Sequence, residues 1–407
     1  MMSDESREAE IIIDDIDLFS DEYQIKPFPT YRALRRECPV FHEPTYGNFV
    51  LSRHTDVQRL RDVEWLSAAH GVDPAGRFPP GTYPDVERTD PPRHRRLRTL
   101  LNHSLSPKAV REWEPDVRRI FEEHFDAVTA DDFDVVDAIC YPAPAAVMCE
   151  IMGFPESRRD DYRRWSNALM SRLGRDIARD QRDALVEMSR FIRREAKQRF
   201  DSPSDDLLST LVHTELEGQR LDENEVVAHG VFLLAAGHET TTNLLGSMVM
   251  MLIKEPGLFK TVAENRKLIP ALIEETLRLE APIQAICRTT KTEKTLHDVS
   301  IPEDARVMFA LGSAGRDPEV FDDPDSLQLD RDGMRRHMAF GYGDHICLGS
   351  RLARLEASIF LELLFDRYTS LSLAADPTPW QSSVARGFHK LPVHAHAKEH
   401  PCTDSTA

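Results

Sequence analysis

The sequence predicts a mainly helical fold with a small β region, organised around one long central helix. Three observations carry that expectation. Helical periodicity dominates from about Pro91 to Leu279, the pattern of helices that bury one face. Within it, Val226 to Ile253 is largely apolar; a helix running from Leu221 to Ile253 would be about 48 Å long, enough to cross a domain of this size. Near the end, Leu348, Leu352, Leu355, Ile359 and Leu363 share one helical face, directly after a glycine-rich loop that carries a cysteine.

Taken in order, residues 1–24 read as an acidic tail, 25–395 as a single domain and 396–407 as a second tail, since no internal repeat or low-complexity linker divides the chain. Residues 40–53 read as short strands around Gly47. Gly71 to Pro84, rich in Gly and Pro, and the charged region 155–200 are the elements expected to move and admit a ligand. Asp90-Pro91-Pro92 opens a helix that sets His94 and Arg98 one turn apart, in a basic run that can equally be a solvated face. In mid-chain, Ala236-Gly237-His238-Glu239-Thr240-Thr241 puts a glycine and hydroxyls inside an apolar helix, where they weaken the hydrogen-bond ladder and make room for water or oxygen. A packing glycine is the plainer reading. His238-Glu239 is not a zinc-protease pair, because Thr242 stands where the second histidine is needed. Glu275 and Arg278 lie at i, i+3 on a helix flanked by Leu272, Ile273, Leu277 and Leu279. Short β and loop segments occupy 284–331.

The most specific run is Phe340-Gly341-Tyr342-Gly343-Asp344-His345-Ile346-Cys347-Leu348-Gly349. A thiolate held in an apolar pocket needs backbone N–H donors, a helix N-terminus and a metal. Gly341, Gly343 and Gly349 can supply a left-handed turn and close approach to a flat group, and Phe340 can cover the sulfur. The run lacks the third glycine of a dinucleotide fingerprint and the second ligand pair of a zinc site.

This loop resembles the haem-binding loop of the cytochrome P-450 family, Phe-Gly-x-Gly-x-His-x-Cys-x-Gly, at every fixed position. The 236–241 segment is similar to that family's Ala/Gly-Gly-x-Asp/Glu-Thr-Thr/Ser motif and Glu275-Thr276-Leu277-Arg278 to its Glu-x-x-Arg. The resemblance covers roughly residues 25 to 395 and implies the fold of a soluble bacterial-type haem-thiolate monooxygenase, with haem b (iron protoporphyrin IX) as cofactor. It implies Cys347 as the iron's ligand, donating electron density that favours O–O cleavage. Ala236, Gly237, Phe340, Gly341 and Gly349 would lie against the haem, and His94, Arg98, Arg288 and His345 would hold its propionates. Thr240 would hold a hydrogen bond to oxygen and Glu239 would feed protons through water, a role resting on position more than on a shifted pKa. Glu275 and Arg278 would form a buried pair, joined in the family by an arginine at the place where Ser326 stands here. Phe232 and Ala235 share a side of the helix with Thr240, and Ile283, Gln284 and Ile286 would close the site opposite, so a compact, largely apolar substrate is expected, with Gln284 as its directional hydrogen-bonding group. The alternatives are a peroxide-driven peroxygenase and a non-catalytic haem sensor.

Composition bounds the partners. The chain has 407 residues, 41% of them hydrophobic, a net charge of −18 and no apolar run of eighteen, so neither nucleic acid nor a membrane span is expected. Six cysteines without a close-spaced pair suggest a reducing, cytoplasmic location. No flavin, nicotinamide or iron–sulfur motif is visible. By the resemblance, electrons come from a ferredoxin or flavodoxin and its NAD(P)H-dependent reductase, docking on a basic patch drawn from Arg93, Arg95, Arg96, Arg351 and Arg354.

Overall fold

The computed structural model describes residues 11–69, 84–170 and 179–398. The expected glycine-rich mobile segment 71–84 lies, apart from Pro84, outside the described residues, as do residues 171–178 of the charged region. The helices that matter for the site are α1 (Arg93–Ser104), α2 (Pro107–Asp126), α3 (Arg179–Asp201), α4 (Glu223–Ala236), α5 (Glu239–Lys254), α6 (Ile269–Leu279) and α7 (Ser350–Arg367). Starts are set by local chemistry. Ser106 accepts a hydrogen bond from the Ala109 amide ahead of α2, and Asp222 and Glu225 form a reciprocal capping box on α4.

A five-stranded sheet stands at one side. Its strands are β1 (Val40–His42), β2 (Phe49–Leu51), β3 (Leu66–Ser67), β4 (Ile286–Thr290) and β5 (Arg306–Phe309), in the order β1-β2-β5-β4-β3. Only β2 and β5 run parallel; the rest are antiparallel. The bend between β1 and β2 holds Gly47 at φ +72°, as the strand-turn-strand reading of 40–53 requires. This sheet has its own apolar core, with Val40, Leu51, Val307 and Phe309, while a larger core unites the helices around α5.

The expected single 48 Å helix is in fact two. α4 ends at Ala236 and α5 begins at Glu239, with Gly237 (φ −79°, ψ −16°) and His238 (φ −91°, ψ −68°) between them. Hydroxyls account for the break. Thr240, Thr241 and Thr242 donate to the carbonyls of Ala236, Gly237 and His238 at 2.8, 3.1 and 3.2 Å, competing with the amides for those acceptors. The His238 ring N–H donates to the Tyr141 carbonyl at 2.9 Å and pins the interruption. A Cβ at Gly237 would lie 2.5 Å from the Met148 sulfur, so nothing larger fits without movement there.

Both ends pack further than composition suggested. Ile16, Leu18 and Tyr23 are buried within the segment read as a tail, and the Tyr23 and Tyr31 hydroxyls meet at 3.1 Å; the apolar residues among its acids have a core to enter. At the other end the strand Pro392–Ala397 pairs with Tyr368–Leu373 and Asp132–Asp134, so the sheet runs past residue 395.

Candidate active site

The cysteine loop is closed by its own backbone. The Gly341 amide donates to Met338 O and the Cys347 amide to Phe340 O, each at 2.8 Å, and Ile346 N reaches Gly343 O at 3.1 Å. Gly341 and Gly343 have φ of +75° and +80°, and a Cβ on Gly343 would meet Arg61 backbone at 2.7 Å. Gly349, expected to share that freedom, instead sits at φ −81° as the N-cap of α7. Cys347 is open to the cavity above it yet walled by protein, and burial pushes its thiol pKa up against the Gly349 amide, Arg98 and Arg354, which favour the thiolate. A positively charged metal would tip that balance to the anion.

Above the sulfur lies a cavity of about 800 Å³, lined from α1, α3, α4, α5, the β4 approach, the cysteine loop and α7. His94, Arg98, Arg288 and His345 all line it. The His94 and His345 rings pack 4.0 Å apart, and neither nitrogen of the buried His94 ring has a partner among the described residues. Burial and the neighbouring Arg288, His94 and Arg98 hold His345 down to about 2. Burial likewise lowers Arg288, whose guanidinium finds one hydrogen bond among the described residues, to the Cys287 carbonyl at 2.8 Å. Glu87, Asp90 and Asp344 act on these groups only through space; buried cations and orphaned donors facing one cavity call for anions in direct contact, which no described carboxylate provides. A flat dianionic cofactor with a metal at its centre fits these residues, and haem is such a group.

Facing the sulfur from the other side are Phe232, Ala235, Ala236, Gly237, Thr240 and Thr241, with Ile283 and Ile286 on a further wall. Gln284 does not join them. It is buried outside the cavity, where its side-chain amide donates to Ala281 O at 2.7 Å and its backbone bridges Val384 and Gly312. Satisfying those partners turns the group expected to contact substrate away from the site.

Glu239 is not on the cavity wall either; it lies behind Thr240 and Thr241, its two carboxylate oxygens without a partner among the described residues. Burial alone pushes it up to about 8, so position and a shifted pKa come together. An unfolded glutamate ionises near 4.5. Between these values the folded protein keeps a proton that the unfolded chain has released. The contribution is therefore complete below about 4.5, falls as pH rises and is exhausted above about 8. Glu239→Gln should flatten denaturant stability against pH over that window; a slope parallel to the wild type's would show that the carboxyl is solvated in the folded protein.

Under the loop, Glu275 accepts from Arg278 at 2.6 and 2.8 Å, with both groups fully buried. The arginine absent at Ser326 is supplied five residues later. Arg331 Nε lies 3.2 and 3.1 Å from the two Glu275 oxygens, and the Gln328 amide adds 3.0 Å. Ser326 serves through its carbonyl, which accepts from Arg278 at 2.9 Å and Arg331 at 2.8 Å. The neighbouring Glu274, not singled out in the sequence, binds Arg354 at 2.6 and 3.0 Å and His337 at 3.0 Å. Burial would raise it, but the hydrogen bonds from His337 and Arg354 bring it down to about 2. Arg354 also stacks 4.5 Å over Phe340, so this network ties α6 to the loop.

That bonding corrects the expected basic patch. Arg354 serves Glu274, and Arg93 and Arg96 pair with Glu225 on α4, leaving Arg95 and Arg351 exposed with no ion pair among the described residues. One more acid went unread in the sequence. Glu356, two turns into α7, lines the cavity with both oxygens buried and without a partner among the described residues, and burial pushes its pKa well above the usual carboxylate range.

The family model described as Cytochrome P450 matches residues 146–392. The chain is 34% identical over 399 residues, 96% of its length and 98% of the other's, to putative cytochrome P450 123 of Mycobacterium tuberculosis. It is 34% identical to vitamin D(3) 25-hydroxylase of Pseudonocardia autotrophica, over 93% of its own length and 96% of that protein's. The structure superposes on cytochrome P450 CYP109Q5 from Chondromyces apiculatus with a TM-score of 0.89 at 32% identity, covering 96% and 100% of the two chains. No helix among the described residues is long and apolar enough to cross a membrane. With a family model over more than half its length and relatives matching nearly end to end, this chain belongs to the cytochrome P450 family and is a haem-thiolate monooxygenase.

Proposed function

We propose that the enzyme binds haem b through Cys347 and inserts one oxygen atom from O2 into a C–H or related bond of a largely apolar organic substrate. The observation that carries this reading is the cavity itself, with one thiol on its floor, orphaned cationic groups at its side and a threonine-bearing helix break opposite. Cys347 would hold the iron; His94, Arg98, Arg288 and His345 would hold the two propionates; Ala236, Gly237, Phe340, Gly341 and Gly349 would flank the ring. When bound, haem supplies the iron at which dioxygen is reduced by two electrons, one atom leaving as water.

The chain's own groups manage position and protons. Phe232, Ala235, Ile283 and Ile286 exclude water from an apolar substrate. The Thr240 hydroxyl spends its proton on the Ala236 carbonyl at 2.8 Å, which leaves its oxygen free to accept from water in the cavity. Glu239, protonated behind that wall, is the store from which water is recharged. Electrons come from a ferredoxin or flavodoxin fed by an NAD(P)H-dependent reductase, with exposed Arg95 and Arg351 available to an acidic partner. Free cysteines among the described residues suit a reducing cytoplasm.

Thr240→Ala tests the proton path. It should still bind substrate and consume NAD(P)H, but release much of the reduced oxygen as peroxide, while Glu239→Gln slows turnover by about 100-fold, the lower reach of general-acid catalysis. Unchanged product per NAD(P)H in Thr240→Ala removes the threonine from the mechanism.

A further inference from the structure

The solvent end of the cavity is charged in a way that its apolar interior does not explain. α3 turns Arg182, Leu185, Val186, Ser189, Arg190 and Arg193 toward it, spaced at i, i+3, i+4, i+7, i+8 and i+11 and so forming one face. That face carries three arginines and no acid. Of the described acids on α3, none lines the cavity: Glu187 pairs with Arg164 at 2.7 Å and Glu195 with Arg199 at 2.9 Å, and Asp183 is exposed.

The opposite wall does not neutralise these cations. Asp85 is taken by Arg88, which grips it through two nitrogens at 2.9 and 2.7 Å, and Glu87, the other acid on that wall, is already engaged. Arg193 is occupied as well, bound to Glu223 at 2.5 Å and to the Asn224 side-chain oxygen at 3.0 Å. Arg182 and Arg190 have no ion pair or side-chain hydrogen bond among the described residues. Between them Val186 is held 47% exposed, an apolar side chain at a cationic rim. In a chain of net charge −18, such a rim is a local reversal of sign that draws anions and repels nothing it needs to admit.

We propose that the substrate is amphipathic and anionic, with an apolar body that reaches the Thr240 side of the cavity and a carboxylate or similar group that rests on Arg190. This deepens the monooxygenase reading and rests on it. The two open arginines stand eight positions apart, about 12 Å along a helix, so they cannot clamp one carboxylate together. Arg190, beside Arg193 and Asn224, is the anchor; Arg182 guides approach. The apolar stretch between iron and rim then selects for length, and the anchor fixes which carbon meets the oxygen.

Calorimetry with decanoate and with methyl decanoate, on the haem-loaded enzyme at low salt, tests this without relying on turnover. The acid should bind roughly tenfold tighter than the ester, and Arg190→Gln should bring the two within about twofold while leaving the ester's affinity unchanged, as expected when a single charge contact is removed. Arg194→Gln, one turn on from Arg190 but outside the cavity lining and over the Phe191 ring, should leave the preference intact. Equal affinities in the wild type, binding of neither probe, or a preference that survives Arg190→Gln overturns the proposal. The reduced carbon monoxide spectrum, recorded on the same samples, separates the two failures: a missing thiolate band refutes the haem-thiolate reading, whereas a normal band without a preference refutes only the anionic substrate.

Discussion

Cys347→His will abolish the red-shifted band of the reduced carbon monoxide complex and all oxygen insertion, whereas Cys287→Ser will keep both. The contrast rests on geometry. Cys347 is the one cysteine among the described residues that lines the cavity, on a loop whose amides and glycine turns leave its sulfur facing open space. Cys140, Cys149 and Cys287 are buried elsewhere, and burial pushes the Cys140 thiol well up, the state of an inert core cysteine. Loss of the band in Cys287→Ser with retention in Cys347→His would refute the assignment.

Arg331→Ala is expected to leave the protein barely folded. It strips one cation from a fully buried carboxylate, and breaking such a pair costs roughly 3–5 kcal/mol, a large part of ordinary domain stability. Glu275→Ala should be as severe, since it leaves two buried guanidiniums without their anion. The readouts are the yield of haem-loaded protein and the midpoint of denaturant unfolding. Arg335→Ala supplies the control: that side chain is 72% exposed and 3.7 Å from Glu274, so its loss should move stability by less than about 1 kcal/mol. Acid should mimic the damage. Burial raises the Glu275 pKa, but Arg278, Arg331 and the Gln328 amide bring it below the ordinary 4.5; its contribution is thus present above that value and is lost as pH falls through the depressed one. Full haem occupancy in Arg331→Ala would show that the arginine is dispensable.

What could be read from the sequence was whatever depends on close-spaced residue types. The cysteine loop, the threonine segment and the Glu275-Arg278 spacing each specify a local geometry, and the cavity brings the first two face to face. Gln284 could not be placed, because its direction depends on Val384 and Gly312, partners remote in the chain. The break at Gly237 was visible as a weakening of the helix, but its completion needs the Tyr141 carbonyl, almost a hundred residues upstream. Glu274 and Glu356 look like ordinary helix acids in sequence; only packing makes one a tie between elements and buries the other on the cavity wall. The strands after α7 were legible and missed: Tyr368-Thr369-Ser370-Leu371-Ser372-Leu373 ends in the alternation of a half-buried strand.

The loop around Arg278 and Arg331 behaves as a collar whose inner surface is main chain. Carbonyls of Gly315, Asp322, Asp323, Pro324 and Ser326 all accept from the two guanidiniums. Because every residue type carries the same carbonyl, the side chains of this collar are free to drift while its electrostatics stay constant, and the second cation can enter from wherever along the loop its fork still reaches Glu275. A template that scores columns would record a loss at Ser326; in space, nothing has been lost.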